Sequence, residues 1–276
     1  MPEITVVVPT RDRPGGLRRC LARLSAQTVS ERIEIVVVDD GSDDAESVAA
    51  AVTATPRTRL VRQPRRGPAA ARNAGVRAAR APIVCFTDDD CEPASGWAEA
   101  LAEALRAGAE VVAGRTEPAD SANRYDVASQ LITNYVARRA SVPFAATNNV
   151  GSTARLLLEL PFDDAYPDAA GEDRDWCRRL ASAGQRIERR PDAAVVHHQE
   201  LTATAFLRQQ ARYGRGAYRY HRGGPRRPLE RPRFYADLLG RGFREGAVVG
   251  LLVALAQVAT VAGYLGGWLA ARRASR

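Results

Sequence analysis

The chain has 276 residues, enough for one large domain or two small ones around an ample core. All 40 basic residues are arginine, against 32 acids, for a formal net charge of +8 at pH 7. That excess is segregated: residues 201–276 carry 14 Arg and 3 acids, whereas the first 200 hold 26 Arg and 29 acids. This argues against a nucleic-acid-binding core and directs any polyanionic surface to the C-terminal region. The four cysteines (Cys20, Cys85, Cys91, Cys177) lack metal-type spacing and read as buried thiols of a reducing compartment. The opening "MPEITVVVPT" starts directly with a strand pattern, so no signal peptide is expected.

In chain order, apolar β-branched runs predict strands at 4–8, 33–38, 59–61, 83–87 and 110–113. Between them, Leu17, Cys20, Leu21 and Leu24 repeat at helical spacing, and alanine-rich helices fit 44–54, 68–80 and 95–107. Alternation of unbroken apolar strands with helices predicts an α/β fold with a mostly parallel sheet covered on both faces. Ligands of such sheets bind at the carboxyl ends of the strands. Here those ends are "PTRDRP" (9–14), "DDGSDD" (39–44) and "DDDCEP" (88–93). Three adjacent aspartates repel one another, so either a positive partner sits among them or they splay into water.

A helix fits 123–139, and another fits 172–182, closed by Gly184. On the second, Asp173, Trp176, Cys177 and Leu180 share one face, which sets a carboxylate among apolar residues. Glu172 and Asp175 are expected to complement the helix dipole from its first turn.

Residues 207–233 mix Arg with Tyr, and 246–270 carry no charge. The latter stretch is long enough to cross a bilayer, is flanked by Arg241, Arg244, Arg272 and Arg273, and has Tyr264 and Trp268 near its far end. A membrane-spanning helix is the expectation, with an interfacial or a soluble packing helix as alternatives. Arg272, Arg273 and Arg276 beyond it oppose a simple positive-inside orientation, which a re-entrant or interfacial helix would resolve.

A divalent cation would answer the aspartate triplet: Mg²⁺ or Mn²⁺ takes hard oxygen ligands, commonly one or two carboxylates plus phosphate oxygens. No glycine-rich dinucleotide fingerprint, Walker A motif or nucleophile elbow is present.

The order of motifs resembles the family 2 glycosyltransferases of the GT-A fold. "ITVVVPTRDRP" resembles that family's first strand and nucleotide loop (Pro9, Thr10, Arg11), and "EIVVVDDGSDD" its second strand, whose acidic end (Asp39, Asp40) contacts the base. "GPAAARNAG" resembles the segment whose arginine, here Arg72, helps bind nucleotide. "FTDDDCEP" resembles the Asp-x-Asp metal motif, which implies Asp88 and Asp89 on the nucleotide and Asp88 and Asp90 on the metal, with Asp90 foremost. "TNNVGSTAR" resembles the acceptor-side stretch (Asn148, Asn149), "GEDRDWCRRL" the Glu-Asp motif with Asp173 as catalytic base between Glu172 and Trp176, and "PDAAVVHH" the closing strand ending in a histidine, His197, expected as a metal or phosphate contact or a strand-end histidine satisfied within the fold. "QQARY" (209–213) is similar to the Gln-x-x-Arg-Trp motif of processive synthases, with Tyr213 in place of Trp; Arg212 would touch phosphate or acceptor, or face anionic lipid. That departure, and one apolar stretch where processive enzymes have several, argue against processive polymerisation.

The resemblance implies a GT-A domain over 1–220, a basic amphipathic linker over 221–245, a transmembrane or interfacial helix over 246–270 and a basic tail over 271–276. It implies an inverting transfer from a nucleoside-diphosphate sugar to a glycan or lipid-linked acceptor hydroxyl, with Mg²⁺ or Mn²⁺ as cofactor. Membrane lipid is an expected partner and nucleic acid is not; the catalytic domain is expected on the cytoplasmic face of the cell membrane. Transfer to polyprenyl phosphate, nucleotidyl transfer and a non-catalytic nucleotide-sugar scaffold are the rivals.

Overall fold

In the computed structural model, the structure describes residues 1–140, 144–166, 168–223 and 229–274. Part of the expected basic linker and the end of the basic tail therefore lie outside the described residues. The first half alternates as its periodicity requires: β1 (Ile4–Thr10), α1 (Pro14–Ser25), β2 (Ile33–Asp39), α2 (Ala45–Thr53), β3 (Thr58–Arg62), α3 (Pro68–Ala78), β4 (Ile83–Thr87), β5 (Cys91–Pro93) and α4 (Trp97–Arg106). β6 (Val111–Pro118), α5 (Arg124–Arg139), β7 (Asn149–Thr153), α6 (Ala154–Glu159), α7 (Glu172–Ser182) and β8 (Ile187–His197) follow. Three helices end the chain: α8 (Ala203–Arg222), α9 (Pro232–Arg244) and α10 (Ala247–Ala274).

The strands form one eight-stranded sheet in the order β3-β2-β1-β4-β7-β6-β8-β5. Six strands run one way; β7 and β5 oppose their neighbours. The sheet is thus mixed, with the expected parallel half at β3-β2-β1-β4. One apolar cluster packs α1, α2 and α4 on one face, around Leu17, Leu21, Trp97 and Leu101. A second packs α3, α6 and α7 on the other, around Phe86, Phe162 and Trp176. Both faces are buried, so β2 reads as an unbroken apolar run.

α3 lies close against β1, because a Cβ on Gly75 would sit 2.3 Å from Val7 Cγ1. This seating fixes Arg72, one turn earlier, beneath the strand ends. Gly75→Ala is expected to lower stability by about 1–3 kcal/mol through overpacking, read as a lower urea midpoint at unchanged slope.

Candidate active site

β1, β2, β4 and β8 end at Thr10, Asp39, Thr87 and His197 on one edge of the sheet. The aspartate triplet turns directly from β4 into β5, and β5 pairs antiparallel with β8 in the register Cys91↔His197. The His198 amide donates to the Asp90 carbonyl at 2.8 Å, and His197 Nε2 comes within 3.3 Å of Asp90 Oδ1. Strand register thus joins two residues 107 positions apart.

Each aspartate has a partner of its own. Thr10 Oγ1 donates to Asp89 Oδ2 at 2.7 Å. Arg13, from the turn before α1, pairs with Asp90 and lies 3.6 Å from Asp89 Oδ1. Arg72, buried on α3, spans two carboxylates: Nη2 donates to Asp88 Oδ1 at 2.8 Å and Nη1 to Glu172 Oε1 at 3.3 Å. The positive partner among the triplet is supplied by the chain at Arg13, Arg72 and His197. Burial opposes charge on Asp90, but His197 and Arg13 outweigh it and hold its carboxyl well below the usual range. Asp89, buried beside that charge, is pushed up to about 7. Burial would lower the His197 pKa, yet the Asp90 charge and hydrogen bond raise it.

A cavity of about 430 Å³ opens over this edge and is lined by Pro9, Thr10, Arg11, Asp40, Arg72, the triplet and His197. Asp40 shapes its wall by accepting from Gln63 Nε2 and from the amides of Arg66 and Gly67, at 2.7–2.8 Å. Asp39 is wholly buried beneath, accepting from the Ser42 amide at 2.9 Å with Arg62 Nε at 3.2 Å. Arg212, expected from sequence to touch phosphate or acceptor, lines this cavity.

Arg72, Asp88, His197 and Tyr213 are shared with a second chamber of about 230 Å³. Its walls include Asp173, Glu172 and Asn148, the amides of Gln130, Gln199 and Gln210, and Gln257 and Thr260 from α10. α7 begins at Gly171, whose φ of +96° is a left-handed conformation that glycine adopts without strain. That turn aims the first residues of α7 at the chamber. Asp173 is half-buried and accepts from the Arg174 amide at 2.7 Å; burial raises its pKa.

The first turn of α7 differs from the sequence expectation. Glu172 and Asp175, expected to complement the helix dipole, are the buried carboxylates of this turn. Arg72 neutralises Glu172, while Arg178 and Arg179 hold Asp175, the latter at 2.8 Å. Three arginines distant in sequence or on the next turn make this burial tolerable. Burial and the neighbouring Asp173 charge push Glu172 up to about 7, and its Oε2 has no hydrogen-bond partner among the described residues. Two candidate acceptor-side residues lie outside the chamber. Asn149 is a core strut: it accepts from Trp97 Nε1 at 2.8 Å and donates to the Arg115 and Ala193 carbonyls. Trp176 is wholly buried, with its indole N–H on the Leu160 carbonyl at 2.9 Å.

Asp90, His197 and Cys91 offer ligand atoms within 4.8 Å of one another. Cys91 is buried, and burial keeps its thiol protonated, which leaves a carboxylate and an imidazole facing the cavity. His197 Nδ1 lies 2.9 Å from Gln130 Oε1. Were a metal to replace the proton on Nε2, an N–H at Nδ1 would donate to Gln130 and leave Nε2 as the ligating lone pair. The carboxylate suits a hard cation such as Mn²⁺ or Mg²⁺, with the imidazole beside it as a nitrogen donor. Nothing local marks Arg13 or Gln130 for the site: they reach it by tertiary pairing, Arg13 with Asp90 across 77 residues and Gln130 with His197 across 67.

The sequence pattern of Glycosyl transferase family 2 matches residues 5–159. The chain belongs to that family. A second pattern, Glycosyl transferase family group 2, matches residues 109–271 and so runs into α10. Among relatives, the family 2 chain is 28% identical over 225 residues to the pre-mycofactocin glycosyltransferase of Mycobacterium tuberculosis, covering 78% of this chain and 47% of that protein. It is 26% identical over 231 residues to glycosyltransferase AglE of Haloferax volcanii, covering 78% and 73%. The chain thus spans about half the length of the first of these relatives. Among solved structures, the mannosyltransferase PcManGT from Pyrobaculum calidifontis, in complex with GDP-Man and Mn²⁺, superposes with a TM-score of 0.62 at 23% identity, covering 99% of this chain and 80% of that one. S. aureus TarS 1–349 in complex with UDP gives 0.56 at 16%, covering 88% and 72%. At these identities the likeness is one of fold, and the fold is the GT-A type expected from the motifs.

Proposed function

We propose that this chain transfers a sugar, with inversion, from a nucleoside diphosphate to an acceptor hydroxyl, and that Asp173 is the base. The observation that carries this reading is the juxtaposition of two cavities sharing Arg72, Asp88 and His197, one lined by the aspartate triplet and the other by Asp173. The larger cavity suits the donor: Pro9, Thr10, Arg11 and Asp40 border the nucleoside side, and Arg72 faces the diphosphate. Asp90 and His197 would hold Mn²⁺ or Mg²⁺, with Asp88 toward the phosphates; a bound divalent ion neutralises charge on a departing diphosphate. The GDP-Man and Mn²⁺ bound by PcManGT and the UDP bound by TarS support a nucleotide-sugar donor here.

In the step itself, the acceptor oxygen attacks the anomeric carbon from the face opposite the diphosphate. The bond to the β-phosphate oxygen breaks, the nucleoside diphosphate leaves with that electron pair, and the hydroxyl proton passes to Asp173. Arg72 keeps Asp88 and Glu172 in fixed positions on either side of the reacting centre. The smaller chamber favours a neutral, hydroxyl-bearing acceptor. Its polar wall carries amides and hydroxyls, the carboxylates Asp88, Glu172 and Asp173, and the cations Arg72 and Arg174, of which Arg72 is already paired with Asp88 and Glu172. We take the acceptor to be a lipid-linked or envelope glycan, met at the cytoplasmic face of the membrane. This draws on α10, which is long and apolar enough to cross a bilayer.

Calorimetry with UDP and GDP in Mg²⁺, Mn²⁺ or EDTA tests the metal assignment. Nucleotide binding to the wild type should require the divalent ion, and Asp90→Ala should lose that dependence together with most of the affinity. Tight, EDTA-insensitive binding that the variant retains would remove Asp90 and His197 from the metal site.

A further inference from the structure

We propose that α10 lies along the surface of an anionic leaflet rather than across it, and that its inner face forms the wall of the acceptor chamber. The second half rests on the reading of that chamber as the acceptor side; the first rests on geometry alone. Gln257, the one side-chain amide of α10, and Thr260, one turn on, line the chamber that also holds Arg72, Glu172 and Asp173.

Depth decides the orientation. α10 has 28 residues, so Gln257 lies roughly 15 Å along it at ~1.5 Å per residue. Were α10 to span a hydrocarbon core of ~30 Å, Gln257 would sit near its middle and carry the charged chamber with it. Such groups are costly at that depth. α8 would be drawn in as well, because the two helices touch backbone to backbone. A Cβ on Gly214 would meet the Thr260 carbonyl oxygen at 2.0 Å, and one on Gly263 would meet that of Ala211 at 1.9 Å. α8 carries Arg208, Arg215 and Arg219 on its exposed side. A spanning α10 therefore requires arginines and a catalytic site inside the bilayer.

An in-plane α10 satisfies every face. Val249, Val253 and Ala256 are buried against α5 and α9. On the outer side, Val248, Leu251, Leu255, Val258, Leu265 and Leu269 form a helical stripe, each 45% to 66% exposed. The occupant is fixed by charge: the last 76 residues carry 14 Arg against 3 acids, which suits anionic lipid headgroups. At the far end Arg272 stacks over the Trp268 ring at 4.1 Å, the aromatic and cationic pairing that sits at a membrane interface. An acceptor sugar carried on a lipid would then meet Gln257 at the leaflet surface, beside Asp173.

The four native cysteines are buried, so single reporters can be placed on the stripe. Spin labels at Val248→Cys, Val258→Cys and Leu269→Cys of the full chain are read for depth in phosphatidylcholine–phosphatidylglycerol vesicles, reconstituted by detergent removal so that either orientation can form. All three labels should lie at one shallow depth, roughly 5–10 Å below the headgroups. Leu255→Glu with Val258→Glu should weaken vesicle binding at least ~10-fold while UDP or GDP binding is kept. Omitting phosphatidylglycerol should weaken it further. A Val258 label roughly 15 Å deeper than the other two would establish spanning and overturn the proposal. So would failure to bind vesicles with the protein sedimenting as a dimer, since a second copy would then cover the stripe. Neither failure touches nucleotide binding or the role of Asp173.

Discussion

Asp173→Asn is expected to lower sugar transfer by roughly 10²–10⁴-fold, the usual worth of a general base, with nucleotide affinity unchanged. The amide keeps the shape of the carboxylate, and its Oδ1 can still accept from the Arg174 amide that Asp173 Oδ1 engages at 2.7 Å. Only the proton acceptor is removed. Burial raises the Asp173 pKa, so a base that must be ionised gives an acid limb in the rate profile above the usual aspartate range. Activity falls as pH falls through that limb. Measuring turnover and nucleotide affinity on one preparation separates this from misfolding. Near-normal turnover in the variant would mean that the acceptor arrives already ionised, as a phosphate would.

The second large effect is on stability. Trp176→Ala is expected to cost roughly 3–5 kcal/mol. Trp176 is wholly buried, its ring centroid lies 4.9 Å from that of Phe162, and Phe162 packs edge-on against Phe86 of β4 at 5.6 Å. Removing it opens a cavity between the sheet and the helix that bears Asp173, and it frees the Leu160 carbonyl that accepts the indole N–H. Trp176→Phe should recover much of the loss and leave that carbonyl unpaired. Chemical denaturation of the two variants measures both parts. Since Trp176 lies outside the chamber, Trp176→Phe should bind nucleotide as the wild type does.

What could be read from the sequence divides along physical lines. β1, β2 and β4 were legible because strands buried on both faces are unbroken apolar runs. β7 was not: "NVGST" looks like a loop by propensity. It becomes a central strand because its polar side chains find partners inside the fold, Asn149 with Trp97 and Ser152 with the Glu110 carbonyl. Helical spacing brought Asp173 to attention, whereas the burial of Glu172 depends on Arg72, 100 residues away, and left no local trace. The triplet announced either a positive partner or solvation, but nothing local showed that Arg13 would be such a partner. In α10, length and composition suggest a span, and nothing in them places Gln257 on the wall of the chamber it lines.

The central claim is nucleotide-sugar transfer at this edge of the sheet, and donor turnover tests it most directly. UDP-, GDP- and dTDP-sugars are each incubated with the full chain in Mn²⁺, Mg²⁺ or EDTA, and the released nucleotide is identified, for the wild type and Asp90→Ala. At least one donor should release nucleoside diphosphate in a divalent ion, with loss of release in EDTA and in the variant. Release of nucleoside monophosphate, or of no nucleotide from any donor under any of these conditions, would contradict it.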